Sequence, residues 1–382
     1  MVSDNSPKQL LRAKCIGYKG LGFRSVLGWA SAIVIISGNL SIGFNEKLAI
    51  EWLQNLRNES QKVDHKVKKF EESGILNPIA TLSIPYLLSS NNIRERYLKQ
   101  IYIEAQSIQI EGYDTVICIQ FKHPDKTRKQ VQNQIHSLSN EILLFLQCLK
   151  SIKIESPERN EYWEVERKEK EIVISPQGNK PKRWKLFKRE GIIPKEYLKP
   201  EQALENIFEI KLAIPTEPVK TDKLFVFFPT EVVFPFPILA HATFELGGNR
   251  QHLIKSDVNS FIGQELADLM AKSAEEIKYD NDDPWYALYT ISPRGEIDPI
   301  LNNLEFLGEN EGKSFLEILR ERIKKYALLP VRNKSFEKPE KAKRIKGNFD
   351  DLLDGELFHD LCIFTEDSFL IKQLENLMED NQ

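Results

Sequence analysis

A run of closely spaced glycines near the start of the chain is the feature that most restricts the local fold. Residues 15–29 read CIGYKGLGFRSVLGW, and a regular helix or strand cannot run through residues 17–22. Such a loop lets backbone N–H groups converge on one spot, and a helix over residues 23–30 would add the positive end of its dipole. Lys19 and Arg24 add mobile positive charge. These residues alone predict either a phosphate-binding loop or a plain tight turn that packs a helix.

The segments that follow alternate as strands do. Leu40, Ile42 and Phe44 are separated by small residues, and residues 37–39 supply a turn after the apolar residues 33–36. Further elements are expected along the chain: helices over 46–57, 129–149, 256–278 and 314–327, and strands within 80–88, 113–122, 162–175, 183–190, 207–215 and 223–246. The pattern predicts an α+β protein with a first domain over residues 1–150, a second over 151–330, and a linker with the start of a further helical region over 331–382.

Composition narrows the classes of protein. Hydrophobic residues make up 41% and charged residues 29% of 382 residues, which are values of globular domains. The net charge of -3 gives no global attraction to nucleic acid or membrane. Four cysteines without paired spacing and six histidines without ligand spacing predict no disulfide framework and no metal site. No apolar run approaches the roughly 20 residues of a membrane span, and the polar start is not a signal peptide, so a cytoplasmic protein is expected.

Residues 16–45 resemble the third nucleotide-binding motif of the GHKL ATPases, the superfamily of heat-shock chaperones, gyrase subunits, MutL and sensor kinases, and are most similar to the sacsin-like ATP-binding proteins. Arg24 replaces the usual lysine of that motif. The residues that match it are Gly17, Lys19, Gly20, Gly22, Phe23, Ser25 and Val26. The resemblance implies the C-terminal part of a Bergerat-type α/β sandwich, in which this loop holds ATP.

The same resemblance implies roles for particular residues. The nucleotide-binding loop would comprise Gly17, Lys19, Gly20, Leu21, Gly22 and Phe23. Residues 112–122 resemble the strand that closes the nucleotide pocket, where Thr115 would help hold the adenine through water; an ordinary strand threonine is the alternative.

Residues 225–253 resemble the middle, transducer-like segment of these ATPases. Two strands there end in a loop whose arginine reaches across to the γ-phosphate, and Arg250 within Asn249–Arg250–Gln251 fits that place. The glutamate that follows the arginine in the heat-shock chaperones is absent. A surface turn arginine is the alternative interpretation of Arg250.

Other family motifs are not found at their expected places. The glutamate that activates water, the asparagine that binds magnesium and the Asp-x-Gly motif lie upstream of the glycine loop in the family, and fourteen residues before Cys15 cannot hold them. The expectation is a truncated, ATP-driven, chaperone-like conformational machine. It would bind ATP with Mg²⁺ weakly or not at all alone, and an unknown protein client or partner would supply the missing half.

Two further interpretations remain open from sequence. A non-catalytic interaction module would keep the architecture and lose the pocket. Residues 179–189, with Trp184 and Phe187 among basic residues, can suggest single-stranded nucleic-acid binding, but a solvated strand is the simpler account. His241 is expected to be a core histidine. His252, two residues after Arg250, could touch the same ligand, but a histidine without that contact is the favoured interpretation.

Overall fold

The chain divides into two units, and the second begins at Ser139. Each unit has its own sheet and its own hydrophobic core. The division lies before the boundary expected near residue 150. The structure is a computed structural model that describes residues 26, 29–75, 84–89, 96–199, 207–217, 219, 222–304, 312–344 and 359–378. We call the described residues up to 138 the N-terminal unit and those from 139 onward the C-terminal unit. The helix expected over residues 23–30 lies mostly outside the described residues.

The N-terminal unit is built on an antiparallel hairpin. Strands β1 (Ala30–Ser37) and β2 (Leu40–Asn45) meet at a turn where Gly38 has a φ of 55°, a conformation that glycine adopts at little cost. Helices α1 (Glu46–Glu59) and α2 (Gln61–Glu72) follow. The predicted hairpin and the helix after it are confirmed.

A helix closes one face of this sheet. The remaining elements are β3 (Tyr86–Leu87), α3 (Arg96–Ile110), β4 (Thr115–Phe121) and α4 (Pro124–Ser137), and the strand order is β3-β2-β1-β4. Leu98 and Ala105 of α3 pack against Val34 and Val116. Helix and sheet approach closely because β2 presents Gly43, where a Cβ would lie 2.7 Å from Leu98 Cδ1.

The C-terminal unit contains an eight-stranded sheet. Its strands are β5 (Ser151–Glu155), β6 (Asn160–Arg167), β7 (Glu171–Pro176), β8 (Lys182–Ile192), β9 (Ile207–Pro215), β10 (Lys223–Val226), β11 (Phe228–Val233) and β12 (Leu239–Ala242). The order is β11-β10-β12-β9-β8-β7-β6-β5. Each of β5 to β9 pairs antiparallel with its neighbour in sequence, whereas β12 lies between β9 and β10 and pairs with β10 in parallel. The strands expected within 207–246 are confirmed.

One long helix covers one face of this sheet. Helix α5 (Asp257–Ile277) begins after the N-cap Ser256, whose hydroxyl accepts from Asn259 N. Shorter helices follow: α6 (Tyr286–Thr290), α7 (Pro299–Asn302), α8 (Phe315–Ile323) and α9 (Ser368–Met378), with the small ladder of β13 (Leu329–Pro330) and β14 (Phe336–Glu337). Cys362 and Leu374, which lie beyond residue 330, belong to the same hydrophobic core as Leu266 of α5.

The helix predicted over residues 129–149 is wrong in both its start and its end. Helix α4 begins at Pro124 and ends at Ser137, and residues Asn140–Leu144 form a 3₁₀ helix. Arg167 on β6 donates to the carbonyl oxygens of Leu143, Leu146 and Leu149, at 2.6 to 3.0 Å. A contact from a distant strand therefore fixes this segment.

Candidate functional site

The loop between β12 and α5 carries Arg250. An isolated antiparallel bridge between Leu246 and Leu253 closes it. Inside that bridge, Gly247 N donates to His252 O at 2.9 Å, and Arg250 N donates to Gly247 O at 2.9 Å. These bonds make residues 246–253 a small, ordered hairpin, which we call the arginine loop.

Arg250 adopts a left-handed backbone conformation at the tip of this loop. Its φ is 59°, a region that a non-glycine residue occupies at a cost of roughly 1–2 kcal/mol. The neighbouring Asn249 supports the turn, because its Oδ1 accepts from Gln251 N at 3.1 Å. The Arg250 side chain is exposed. The strained backbone thus holds a charged guanidinium in solvent, where an anion can reach it.

The base of the arginine loop is clamped by a buried amide. Asn259, on the first turn of α5, accepts from Glu245 N through Oδ1 at 2.7 Å. Its Nδ2 donates to Glu245 O at 2.9 Å and to Ile254 O at 2.7 Å. The strand that enters the loop and the strand that leaves it are therefore tied to one side chain. Sequence reasoning missed Asn259, which reads as an ordinary polar residue within a predicted helix.

A third contact joins the arginine loop to the edge of the sheet. Glu231 N, on β11, donates to Gln251 O at 2.9 Å. His252 is exposed, and its backbone rather than its ring takes part in the loop. The loop is consequently held at its tip, at its base and along one side.

Thr115 begins β4 and lies opposite Ser37 in the register of the N-terminal sheet. The two hydroxyl oxygens are 2.8 Å apart. The cross-strand register places Thr115 on the same face as Ile117 and Leu40, which are both 52% exposed, whereas α3 covers the opposite face. Thr115 is thus an accessible hydroxyl at the border of a partly exposed apolar surface.

The other predicted contacts to nucleotide lie outside the described residues: Gly17, Lys19, Gly20, Leu21, Gly22 and Phe23. Thr115 belongs to the N-terminal unit and Arg250 to the C-terminal unit. The facing of the arginine loop toward Gly20 therefore remains a prediction.

A buried row of charges lies on β9 and β12. Lys211 Nζ is 2.5 Å from Glu209 Oε1, and His241 Nε2 is 3.6 Å from the same oxygen. His241 Nδ1 accepts from the backbone N–H of Phe227, whose φ is 64°. All three charged or titratable side chains are almost fully buried. His241 is a core residue, as expected.

Burial and charge pairing together decide the pKa values of these groups. Burial acts to raise the pKa of Glu209, but contact with His241 and with the Lys211 ammonium lowers it to about 2. Burial lowers the pKa of His241 and that of Lys211. Glu209 and Lys211 form a buried ion pair. In the sequence, its only indication is the presence of two opposite charges, two residues apart, within the apolar strand IFEIKLAIP.

The aromatic rings within residues 179–189 are not exposed to solvent. Trp184 and Phe187 on β8 are both buried. Lys182 pairs with Glu141 at 2.9 Å, Lys185 with Asp280 at 2.5 Å, and Arg189 with Glu265 and Asp268 at 2.7 and 2.6 Å. Stacking on bases needs exposed rings, so this segment offers no platform for a single strand.

No family model, curated protein or solved structure matches the chain. Within the described ranges, no helix is long and apolar enough to cross a membrane. The same part of the chain contains no group of three or more His, Cys, Asp or Glu residues arranged to hold a metal ion.

Proposed function

We propose that this protein is a nucleotide-binding protein of the GHKL type, similar to sacsin-like proteins, in which Arg250 contacts the γ-phosphate of ATP. The observation that carries the proposal is the arginine loop, which fixes the backbone on both sides of an exposed guanidinium. A guanidinium is always charged and offers several fixed donors to an anionic oxygen. It can stabilise charge in a loose phosphoryl-transfer transition state without covalent chemistry.

The N-terminal unit would receive the rest of the nucleotide. Thr115 and Ser37 offer hydroxyls beside a partly exposed apolar face, a setting that suits a flat base with a polar edge. Residues 17–23 would hold the phosphates, as the resemblance implies. Bound Mg²⁺ would neutralise phosphate charge, while Arg250 contributes a contact that depends on the γ-phosphate. Binding of ATP would then drive a conformational change, as the resemblance implies.

An NMR titration tests this proposal. It follows the chemical shift of the Arg250 Nε–H resonance in the complete chain as Mg·ATP or, separately, Mg·ADP is added. We expect this resonance to shift with ATP and not with ADP, because only ATP carries a γ-phosphate. Arg250→Lys assigns the resonance, and Lys255→Ala, which removes a positive charge just outside the arginine loop, is the matched control. Equal shifts of the Arg250 resonance with both nucleotides would contradict the role of Arg250, and so would an unmoved Arg250 resonance while other resonances of the chain shift with Mg·ATP.

Affinity and turnover of the chain alone are expected to be low. Calorimetry with Mg·ATP should give a Kd in the millimolar range or weaker, about -4 kcal/mol on the binding scale. Micromolar binding, or turnover that Arg250→Ala abolishes, would show that the pocket is complete in this chain.

A protein-interaction module that does not use nucleotide is the second candidate. Leu40 and Ile117, half exposed on one sheet face, favour it. Under this alternative neither nucleotide moves any resonance, whereas the double variant Leu40→Lys/Ile117→Lys reduces association with the partner and leaves the thermal unfolding transition unchanged.

A further inference from the structure

The side chain of Asn259 uses its hydrogen-bonding groups entirely on the backbone around the arginine loop. One acceptor bond and two donor bonds, all of 2.7 to 2.9 Å, go to Glu245 and Ile254. An asparagine amide offers one carbonyl oxygen and two N–H donors, so both donors are used. The residue is buried at 3% exposure, where unpaired polar groups are costly. Asn259 is therefore fixed by the loop, and the loop by Asn259.

The helix that carries Asn259 is itself firmly placed. Thirteen residues of α5 are buried. Its acidic residues Glu265 and Asp268 pair with Arg189 of β8, and Asp268 also pairs with Arg322 of α8, at 3.2 Å. A loop tied to the first turn of this helix must follow the position of the helix.

We propose that Asn259 is a positioning residue that holds Arg250 where a γ-phosphate can meet it; this inference rests on the proposed function. Asn259 ties both chain segments at the base of the arginine loop to α5. Because these bonds keep the base of the loop closed, the left-handed turn at Arg250 is maintained. A displacement of α5 is thereby transmitted to the guanidinium.

Amide hydrogen exchange tests the clamp without nucleotide. Asn259→Ala removes all three bonds, so we expect protection of the Glu245, Gly247 and Ile254 amides to fall by about tenfold or more, the effect of about 1.4 kcal/mol on an equilibrium constant. Asn259→Ser, which can keep one bond, should give a smaller loss and serves if the alanine variant does not fold. Ser256→Ala is the matched control, because it removes the N-cap bond to the backbone N–H of Asn259 and does not alter the Asn259 amide that makes the three loop bonds.

The nucleotide titration distinguishes positioning from a merely structural role. We expect the ATP-dependent shift of the Arg250 Nε–H resonance to decrease several-fold in Asn259→Ala and to be retained in Ser256→Ala. Thermal melting of both variants checks that their stabilities are similar. Unchanged protection at Glu245 and Ile254 overturns the proposal, and so does lost protection with a full ATP response. If the Arg250 resonance of the unaltered chain does not shift with ATP, the proposed function fails. Amide hydrogen exchange alone then decides whether Asn259 fixes the loop.

Discussion

The pairing of Glu209 with Lys211 shows how one buried residue depends on another. Removing one partner of a buried ion pair leaves an uncompensated charge, at a cost of about 3–5 kcal/mol, whereas replacing both with apolar residues is often near neutral. We expect Glu209→Leu and Lys211→Met each to lower the free energy of unfolding by that amount, and the double variant to lose much less than the sum. Chemical denaturation of the four proteins measures this coupling; additive losses would show that the two charges act independently.

The same pair gives the protein a defined dependence on acid. Because the pKa of Glu209 is lowered from 4.5 to about 2 on folding, the unfolded chain binds its proton first. The stability that this carboxylate contributes is present above about pH 4.5 and is lost as the pH falls toward 2. In the double variant Glu209→Leu/Lys211→Met this contribution should be missing from the pH profile of the unfolding free energy.

The left-handed backbone at Arg250 predicts a conflict between stability and function. Glycine adopts a φ of 59° without the Cβ penalty, although it costs more entropy on folding. We expect Arg250→Gly to raise the free energy of unfolding by about 0.5–1 kcal/mol, the difference between these two effects, and to abolish any response to the γ-phosphate. Arg250→Ala, which keeps the strain, is the control for stability. A destabilised glycine variant would mean that the side chain itself supports the loop.

At the scale of elements, α5 contains a glycine whose replacement by alanine should lower the stability of the protein, whereas the same change in a helix usually raises it. Glycine within a helix ordinarily costs about 1 kcal/mol relative to alanine. A Cβ on Gly263, however, would lie 2.6 Å from Leu304 Cδ1 in the core. We expect Gly263→Ala to lower the melting temperature, because overpacking costs about 1–3 kcal/mol. Combination with Leu304→Ala should cost less than the two single changes together, and stabilisation by Gly263→Ala alone would show that the core has room.

The N-terminal hairpin was predictable because its signals are local. Leu40, Ile42 and Phe44 alternate, and Gly38 supplies the turn that joins β2 to β1. The strand at Thr115 was also expected, and it joins the sheet of the hairpin by pairing with β1. Strand pattern and turn chemistry suffice where neighbouring elements in sequence are also neighbours in space.

The region after α4 was not predictable by the same means. Leu143, Leu144 and Phe145 fit a helical pattern, yet the chain is extended at Leu138 and continues as a 3₁₀ helix. The carbonyl groups of this segment bind Arg167, and Glu141 binds Lys182 of β8. Partners on distant strands fix its conformation, and local periodicity does not record them.

At the scale of the whole molecule, resemblance and geometry contribute different parts of the candidate site. The sequence located Arg250 and Thr115 through motifs, and it gave no indication of Asn259. The clamp depends on a helix start meeting the end of a strand, which is a tertiary relation. Conversely, the glycine loop predicted at residues 17–23 depends on its resemblance to a family motif, and these residues lie outside the described part of the chain. The sequence names Arg250 as a candidate through a motif, but it does not indicate the residue that supports the arginine loop.

The strand order of the eight-stranded sheet sets a sequence of events during folding. The four pairings that run from β5 through β9 each join neighbours along the chain and so close short loops, whereas β12 must insert between β9 and β10. Loop closure costs entropy that grows with the length of chain enclosed, and non-local pairings are slower to form. The meander should therefore assemble first, and the arginine loop should become ordered late. Pulse-labelled refolding should find β6 to β8 amides protected before those of β12, and simultaneous protection would contradict this order.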